Sequence, residues 1–240
     1  MISCRNVSKD YGNFRALDGL NLEVGPGEIY GLIGPNGAGK TTTIKLLVGL
    51  LKPSTGTILI NGINITRDGI EAKKIIGYIP DEPFLYERLT PSELMHFKGS
   101  LHGMTKEAIE RAKAELLEMV GMVDHQNDLI ESFSLGMRQR LAIAVALLPS
   151  PSIIIVDEPL VGLDPSGMKR VKEIFASLAH EGRTVFISTH MLNVVEELST
   201  RVGVLNRGKL IVEGTVETLK NAEDEKLESV FFRLFQEVAR

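Results

Sequence analysis

One short stretch near the N-terminus constrains the fold more than any other part of the chain. Residues 34–42 read Gly-Pro-Asn-Gly-Ala-Gly-Lys-Thr-Thr, which fits the phosphate-binding pattern Gly-x-x-x-x-Gly-Lys-[Ser/Thr]. An apolar run at residues 29–33 precedes it and predicts a strand. Ile44, Leu47 and Val48 follow at helical spacing. The sequence therefore predicts a strand, a loop and a helix, with the loop as a nucleotide site.

The residue types in this loop suit phosphate binding. Glycines let backbone N–H groups come close to phosphate oxygens at the positive end of a helix. We expect Lys40 to reach the β- and γ-phosphates and the Thr41 hydroxyl to bind a Mg²⁺ ion that bridges them. The predicted nucleotide-binding residues of the loop are Gly34, Pro35, Asn36, Gly37, Ala38, Gly39, Lys40, Thr41 and Thr42.

Composition restricts the partners and the compartment. The formal net charge is −4 and basic residues form no long run, so no nucleic-acid partner is expected. Cys4 is the single cysteine, which excludes an intrachain disulfide and favours a reducing, cytoplasmic compartment. The uncharged stretch 141–156 is shorter than a spanning helix and is broken by Pro149 and Pro151. We therefore expect no membrane span in this chain.

Strand and helix patterns alternate along most of the chain and predict an α/β fold. The expected architecture is a mostly parallel sheet with helices on both faces, an antiparallel β portion at the N-terminus and an inserted helical lobe. The predicted organisation is one domain over 1–240, with 1–80 and 153–214 as the α/β core, 82–150 as the helical lobe and 215–240 as a helical tail.

The lobe and the tail depart from the alternating pattern. In the lobe, Thr90 and Thr105 each predict a helix start, and a third helical piece is predicted over residues 123–130. The tail carries apolar residues on one helical face, which leaves open whether it packs on its own domain or on a second subunit. These residues are Leu227, Val230, Phe231, Leu234, Phe235 and Val238.

Three titratable residues follow predicted core strands. Asp157 and Glu158 come directly after the β-branched run at 153–156, and His190 follows the strand at 184–188. Ligands of open α/β sheets bind at the carboxyl ends of the strands. Asp157 is therefore expected to hold Mg²⁺, and Glu158 to polarise the water that attacks the γ-phosphate. His190 is expected to contact the γ-phosphate or Glu158.

Two further features concern the nucleotide and a neighbouring subunit. Tyr11 could stack on an adenine at the mouth of the site, or could simply be a turn aromatic that covers the sheet edge. Ser134 and Gly136 begin a helix whose free N–H groups form a second anion site. Because one pocket seldom needs two such helix starts, we expect the second to serve a neighbouring subunit.

These features occur together, in this order, in one family. The phosphate loop, residues 134–139, the strand ending at Glu158, the segment 162–164 and His190 resemble the nucleotide-binding subunit of ABC transporters along nearly the whole chain. The resemblance implies an ABC-type ATPase fold with ATP and Mg²⁺ as cofactors. It also implies a homodimer or heterodimer of ATPase subunits that closes head to tail over two ATP molecules.

The resemblance implies a role for most of the candidate residues. Lys40, Thr41 and Asp157 match the phosphate and metal contacts, and Glu158 matches the catalytic carboxylate. The remaining matches are His190 as the switch histidine, Tyr11 as the adenine-stacking aromatic, Ser134 and Gly136 as the signature residues that touch the partner's ATP, and Asp164 as the residue that communicates across the dimer.

The chain departs from the usual family pattern at two places. Asp81, beside Glu82, replaces the glutamine that usually senses the transporter and contacts the metal. A carboxylate there can still bind Mg²⁺, but it adds negative charge near the γ-phosphate. In the signature, Leu135 and Met137 replace Gly and Gln.

The form of the signature, and the segment before the lobe, resemble the exporter subgroup called ABC-2 type. That resemblance implies ATP-driven export, a position at the cytoplasmic face of the cell membrane, and a membrane permease helix docked near Phe84, Leu85 and Tyr86. The alternative is a soluble ABC ATPase without a permease. Relatives of that class usually carry a second ATPase core, a coiled coil or a zinc insertion, and the sequence contains none of these. A GTPase or kinase is not supported, because no Asn-Lys-x-Asp guanine motif occurs.

Overall fold

The computed structural model describes residues 1–220 and Ser229. Its strands are β1 Ile2–Tyr11, β2 Phe14–Val24, β3 Ile29–Ile33, β4 Thr55–Ile60, β5 Ile63–Asn64, β6 Ile76–Ile79, β7 Ile153–Asp157, β8 Thr184–Ser188, β9 Arg201–Asn206 and β10 Lys209–Gly214. Its α-helices are α1 Lys40–Leu47, α2 Gly69–Lys74, α3 Pro91–Leu101, α4 Lys106–Met119, α5 Leu135–Leu147, α6 Pro165–His180, α7 Leu192–Leu198 and α8 Val216–Leu219.

The central sheet has six strands in the order β10-β9-β3-β8-β7-β6. Five of them run parallel, and β10 pairs antiparallel with β9 at one edge. Every residue of β3, β7 and β8 is buried, as expected for parallel strands covered on both faces. Their carboxyl ends therefore meet at one edge of the sheet, which is where the candidate site lies.

The two faces of β7 belong to two different apolar clusters. Ile154 and Val156 pack in a cluster that contains residues of α5 and α6, whereas Ile153 and Ile155 pack in a cluster that contains residues of α1. Because successive side chains of a strand point to opposite faces, helices cover both sides of the sheet. Burial of each of these side chains contributes roughly 1.5–3 kcal/mol to the free energy of folding. The predicted doubly covered, mostly parallel sheet is confirmed.

The N-terminal strands form a second, antiparallel sheet in the order β2-β1-β4-β5. Leu17, Leu20, Leu22 and Val24 of β2 are all buried. The β1–β2 hairpin turns at residues 12–13, which pairs Tyr11 with Phe14. The hairpin thereby holds two aromatic rings beside the phosphate loop.

The segment from 82 to 150 is helical, as predicted, and contains no strand. Thr90 caps α3 in a full capping box with Glu93, and Thr105 caps α4. The prediction of one helical piece over 123–130 is wrong, because two separate 3₁₀ turns, Val123–His125 and Ile130–Ser132, occupy this region. Each turn is too short to show a helical apolar repeat.

Two elements were not predicted from the sequence, and one prediction lies outside the described residues. The two-residue strand β5 and the one-and-a-half-turn helix α2 are too short to carry a periodic signal. Of the predicted helical tail, the structure describes the four-residue helix α8, which ends at Leu219, and the predicted apolar face over 227–238 lies outside the described residues. Among the described residues, no helix combines the length and apolar character needed to cross a bilayer.

Candidate nucleotide-binding site

The phosphate loop connects β3 to α1, and its glycines are required by the backbone. Gly39 precedes α1 with a φ of 109°, a backbone conformation that residues other than glycine rarely adopt. A Cβ at Gly34 would lie 2.3 Å from the carbonyl oxygen of Leu205. The loop can therefore pass between β9 and α1 only without these side chains, which leaves its N–H groups at the start of α1 for an anion.

Lys40, the first residue of α1, is folded back against the loop. Its Nζ donates hydrogen bonds to the carbonyl oxygens of Gly34 at 2.6 Å and Pro35 at 3.2 Å. Burial lowers the pKa of Lys40, and the negative charges of Glu158 and Asp157 partly oppose this effect. The ammonium group is therefore held between the loop and two carboxylates.

A cavity of about 570 Å³ brings together nearly all the predicted site residues. Lys40 and Thr41 line it together with Asp157, Glu158 and His190. The other predicted residues in its wall are Tyr11, Pro35, Asn36, Gly37, Ala38, Gly39, Thr42 and Asp81. Gly34 is tied to this site through its bond with Lys40. The phosphate loop and Asp157 lie more than a hundred positions apart in the sequence, and the parallel sheet brings them to one edge.

Two acidic side chains of the cavity are held close to other negative charges. Asp157 ends β7 and is only 6% exposed, and burial raises its pKa, with Glu158 and Asp81 adding to the rise. Burial also raises the pKa of Asp81, and the charges of Glu158 and Glu82 add to that shift. Such an arrangement disfavours ionised carboxylates unless a cation is present. Together with the Thr41 hydroxyl, it offers the hard oxygen ligands that Mg²⁺ prefers.

Glu158 is held by the segment that follows β8. Its backbone has a φ of 49° and its N–H donates to the carbonyl oxygen of Ser188 at 2.8 Å. The Thr189 hydroxyl donates to Oε2 at 2.7 Å, and the N–H of His190 donates to Oε1 at 3.0 Å. His190 Nδ1 also lies 2.8 Å from Oε1. Of the two contacts expected for His190, the one to Glu158 is therefore present.

The mouth of the cavity is formed by the two aromatic residues of the hairpin. Tyr11 is 46% exposed and Phe14 is 64% exposed, and both line the cavity. The Nζ atom of Lys9 lies 5.3 Å from the centre of the Tyr11 ring. Phe14 and Thr189 were not predicted from the sequence to belong to the site. Their signals were an aromatic across the tight turn from Tyr11 and a hydroxyl next to His190.

The second predicted anion site lies elsewhere in the fold. Ser134 caps α5 and its Oγ accepts a hydrogen bond from the N–H of Met137 at 3.3 Å. A Cβ at Gly136 would lie 2.8 Å from the carbonyl oxygen of Gly162, so this helix start packs closely against the segment before α6. Neither Ser134 nor Gly136 is among the residues that line the cavity. Asp164, for its part, caps α6 by accepting hydrogen bonds from Ser166 and Gly167.

Comparison with known proteins gives this arrangement a family. The sequence profile described as ABC transporter matches residues 17–161, which include the phosphate loop, the signature and the two carboxylates. The chain belongs to the ABC transporter family. It is 42% identical over 229 residues to the bacitracin transport ATP-binding protein BcrA of Bacillus licheniformis, which covers 95% of this chain and 74% of that protein.

Solved structures of ABC ATPases have the same fold. A structure titled as the ATP-binding subunit of an ABC transporter aligns with a TM-score of 0.92 at 30% identity and covers 98% of this chain and 99% of that one. The dimeric post-hydrolysis state of the ATP-binding cassette MJ0796, bound to ADP and phosphate, aligns with a TM-score of 0.79 at 29% identity over 90% of this chain and 99% of that one. The chain is thus an ATP-binding and ATP-hydrolysing subunit that powers transport, and the reading as an ABC ATPase without a permease is not favoured.

Proposed function

We propose that this chain binds Mg²⁺-ATP in the described cavity and hydrolyses it as one half of a head-to-tail dimer, thereby driving export through a membrane subunit. One observation carries this proposal. The cavity contains the phosphate loop, both carboxylates and His190, whereas Ser134 and Gly136 lie at a separate helix start outside it. A site divided in this way is completed by a second subunit.

The chemistry assigned to the chain's own residues follows from their contacts. The loop N–H groups and Lys40 bind the phosphates and neutralise the charge that develops on the γ-phosphate. Glu158 accepts the proton of the attacking water, because its carboxylate is already oriented by Thr189 and His190. The role of Tyr11 is to stack on the adenine ring, with Phe14 beside it.

The oxygen atoms of Thr41, Asp157 and Asp81 would hold Mg²⁺ in this cavity. The raised pKa values of Asp157 and Asp81 fit a cation site, since a divalent ion relieves the repulsion among the carboxylates. A bound ion would supply charge neutralisation for the phosphates of ATP. Asp81 can serve in place of the usual glutamine because its carboxylate is also an oxygen ligand.

In the proposed dimer, Ser134 and Gly136 contact the ATP held by the opposite subunit. The free N–H groups at the start of α5 carry the partial positive charge of a helix N-terminus, and the neighbouring ATP supplies the anion. Asp164 begins the adjacent helix α6, so it lies on the same side of the subunit as α5's start and is assigned a role at the dimer contact.

The membrane subunit is proposed to dock in a groove in front of the helical lobe. The groove has a volume of about 1150 Å³ and is lined by Phe84, Leu85 and Tyr86. Phe84 is 90% exposed, which is unusual for a phenylalanine without a partner. Tyr86 packs edge to face on Phe97 of α3, so the aromatic wall of the groove is braced by the lobe.

This docking places the chain at the cytoplasmic face of the cell membrane, as a peripheral subunit. Export is proposed because the signature and the segment before the lobe resemble the ABC-2 exporter subgroup, and because a relative 42% identical to this chain is named as a bacitracin transport protein. The proposed organisation is a single ABC domain with an α/β core over 1–80 and 153–214, a helical lobe over 82–150 and a tail over 215–240. The absence of strands from 82 to 150 in the described chain supports the limits of the lobe.

Co-purification tests the docking. The tagged chain is co-expressed with candidate polytopic membrane proteins from the same genome, and the complex is isolated in detergent. We expect Phe84→Asp to lose the membrane protein while keeping the ATPase activity of the isolated subunit. Ile70→Asp serves as the matched control, because Ile70 is 76% exposed on α2, outside the groove. Equal recovery with both variants would contradict the proposed dock.

A further inference from the structure

The side chain of Arg138 joins three segments of the chain. Arg138 lies in the first turn of α5, four residues after Ser134. Its Nε donates to the carbonyl oxygen of Phe133 at 3.1 Å, and Nη2 donates to the carbonyl oxygen of Glu131 at 3.2 Å. Its Nη1 forms an ion pair with the carboxylate of Glu87. One guanidinium thus contacts both the segment before the signature and the loop over residues 81–89 that lines the docking groove, the groove loop.

Backbone hydrogen bonds connect the same two segments. The N–H of Glu131 donates to the carbonyl oxygen of Glu87 at 2.9 Å, and the N–H of Ile130 donates to the carbonyl oxygen of Leu89 at 3.0 Å. Glu87, Arg138 and Leu135 all line the groove. The groove loop is therefore connected to the segment before α5 by two backbone hydrogen bonds, and to α5 itself by the ion pair between Glu87 and Arg138.

The contacts of Arg138 differ from those of an ordinary surface ion pair. An exposed pair alone contributes little, because solvent screens it and both side chains lose freedom. Here the planar fork binds two carbonyl oxygens as well as a carboxylate, which fixes the direction of the backbone entering the helix. The Arg138 side chain is 25% exposed and that of Glu87 is 55% exposed, so Arg138 is the more covered member of the pair.

We infer that Arg138 is a positioning residue: through Glu87 it couples the groove loop to the signature, and it sets the orientation in which Ser134 and Gly136 meet the partner's ATP. The inference rests on the proposed role of Ser134 and Gly136 in the dimer. Glu87 and Arg138 thereby act on the contact that this subunit makes with the partner's ATP. They have no part in nucleotide binding by the subunit's own phosphate loop, since neither residue lines the nucleotide cavity.

The experiment uses the full chain with Glu158→Gln, in which hydrolysis is slowed, and measures the ATP-driven monomer–dimer equilibrium by sedimentation velocity. Arg138→Gln, Glu87→Gln and the combination of both are compared with this parent. Arg88→Gln is the matched control, because Arg88 lines the same groove and no ion pair or hydrogen bond of its side chain occurs among the described residues. Binding of a fluorescent ADP analogue reports on the subunit's own site, and thermal melting reports on folding.

We expect Arg138→Gln to raise the dimer dissociation constant about tenfold, since the change occurs at both sites of a symmetric dimer. Glu87→Gln is expected to raise it several-fold, and the combined variant no further than Arg138→Gln alone, as for two residues in one interaction. Arg138→Lys keeps the positive charge but loses the planar guanidinium, so its dimer dissociation constant is expected to lie between those of the parent and Arg138→Gln. Affinity for the ADP analogue should stay within about twofold of the parent for all variants, because the changed groups lie outside that cavity.

Three outcomes would overturn the inference. The first is a dimer dissociation constant equal to that of the parent in both Arg138→Gln and Glu87→Gln. The second is an equal rise of the dissociation constant in Arg88→Gln, and the third is full additivity of the free-energy changes caused by Arg138→Gln and Glu87→Gln. A parent that fails to dimerise with ATP would instead refute the proposed dimer, and the inference with it. If Arg138→Gln does not fold, Glu87→Gln decides the question, because its carboxylate is half exposed and its loss leaves no buried group unpaired.

Discussion

His190 Nδ1 lies 2.8 Å from Oε1 of Glu158, and the backbone N–H of His190 donates to the same oxygen at 3.0 Å. The other carboxylate oxygen accepts the hydroxyl of Thr189. The segment after β8 thus fixes both oxygens of the carboxylate that β7 delivers to the cavity. The two neighbouring strands of the sheet therefore together set the direction of the Glu158 carboxylate, the proposed catalytic base.

The first prediction concerns this contact. His190→Ala is expected to lower kcat for ATP by about 100-fold, because the carboxylate loses one of its orienting groups. KM should change little, since His190 does not belong to the phosphate loop. Steady-state phosphate release measures both constants. His102→Ala, at the exposed end of α3, is the control. A kcat within twofold of the parent would remove the assigned role of His190.

The second prediction concerns the mouth of the cavity. Tyr11→Ala is expected to weaken ATP binding by about fivefold to tenfold, the loss of one aromatic stacking contact. Tyr11→Phe should bind as the parent does, because stacking requires the ring and not the hydroxyl. Titration with a fluorescent ATP analogue gives the dissociation constants. Phe14→Ala, tested in parallel, shows whether the second ring shares this contact. Equal affinity of Tyr11→Ala and the parent would exclude stacking.

The third prediction concerns the replacement of the usual glutamine by Asp81. Asp81→Ala is expected to raise the Mg²⁺ concentration for half-maximal hydrolysis several-fold, and Asp81→Gln to raise it less, because glutamine keeps an oxygen ligand. Glu82→Ala is the matched control, since Asp81 lines the nucleotide cavity and Glu82 does not. Identical Mg²⁺ dependence of all three variants would show that Asp81 does not contact the metal.

The fourth prediction concerns alkaline stability. Burial raises the pKa of the Cys4 thiol from 9.0 to about 12. The folded state therefore disfavours the thiolate, so this contribution to stability is complete below about pH 9 and is lost as the pH rises towards 12. In urea unfolding at pH 8, the free energy of unfolding of the parent should exceed that of Cys4→Ala by about 1 kcal/mol, because the thiol packs in the core. This difference in free energy should be smaller at pH 11. A difference that is constant with pH would contradict the burial effect.

Much of this site could be predicted from the sequence because its chemistry depends on local patterns. The phosphate loop requires glycines at fixed spacing, and the β-branched run before Asp157 identifies a buried strand whose end must reach the ligand edge of a parallel sheet. Thr90 and Ser134 likewise predicted helix starts. The structure confirms both, because each side chain accepts a hydrogen bond from a backbone N–H in the first turn of its helix.

The parts that escaped prediction depend on contacts between distant segments. Nothing local in the sequence pairs Glu87 with Arg138, which lie 51 residues apart. Thr189 reaches Glu158 only because β8 lies beside β7, and Phe14 lines the cavity only because the hairpin lies beside the phosphate loop. The single helix predicted over 123–130 is wrong because its apolar residues do not share one buried face: Ile130 is buried in the lobe, whereas Val123 and Leu129 are each 45% exposed.

The central claim is that the phosphate loop is half of a site that a second subunit completes. Sedimentation velocity of the Glu158→Gln variant with Mg²⁺-ATP tests it directly, since we expect loss of the carboxylate to slow hydrolysis by about 10³-fold and so to preserve bound ATP. We predict a dimer containing two ATP molecules, which reverts to monomers when Ser134 is changed to Arg. A variant that binds ATP and remains monomeric at all protein concentrations tested would contradict the account.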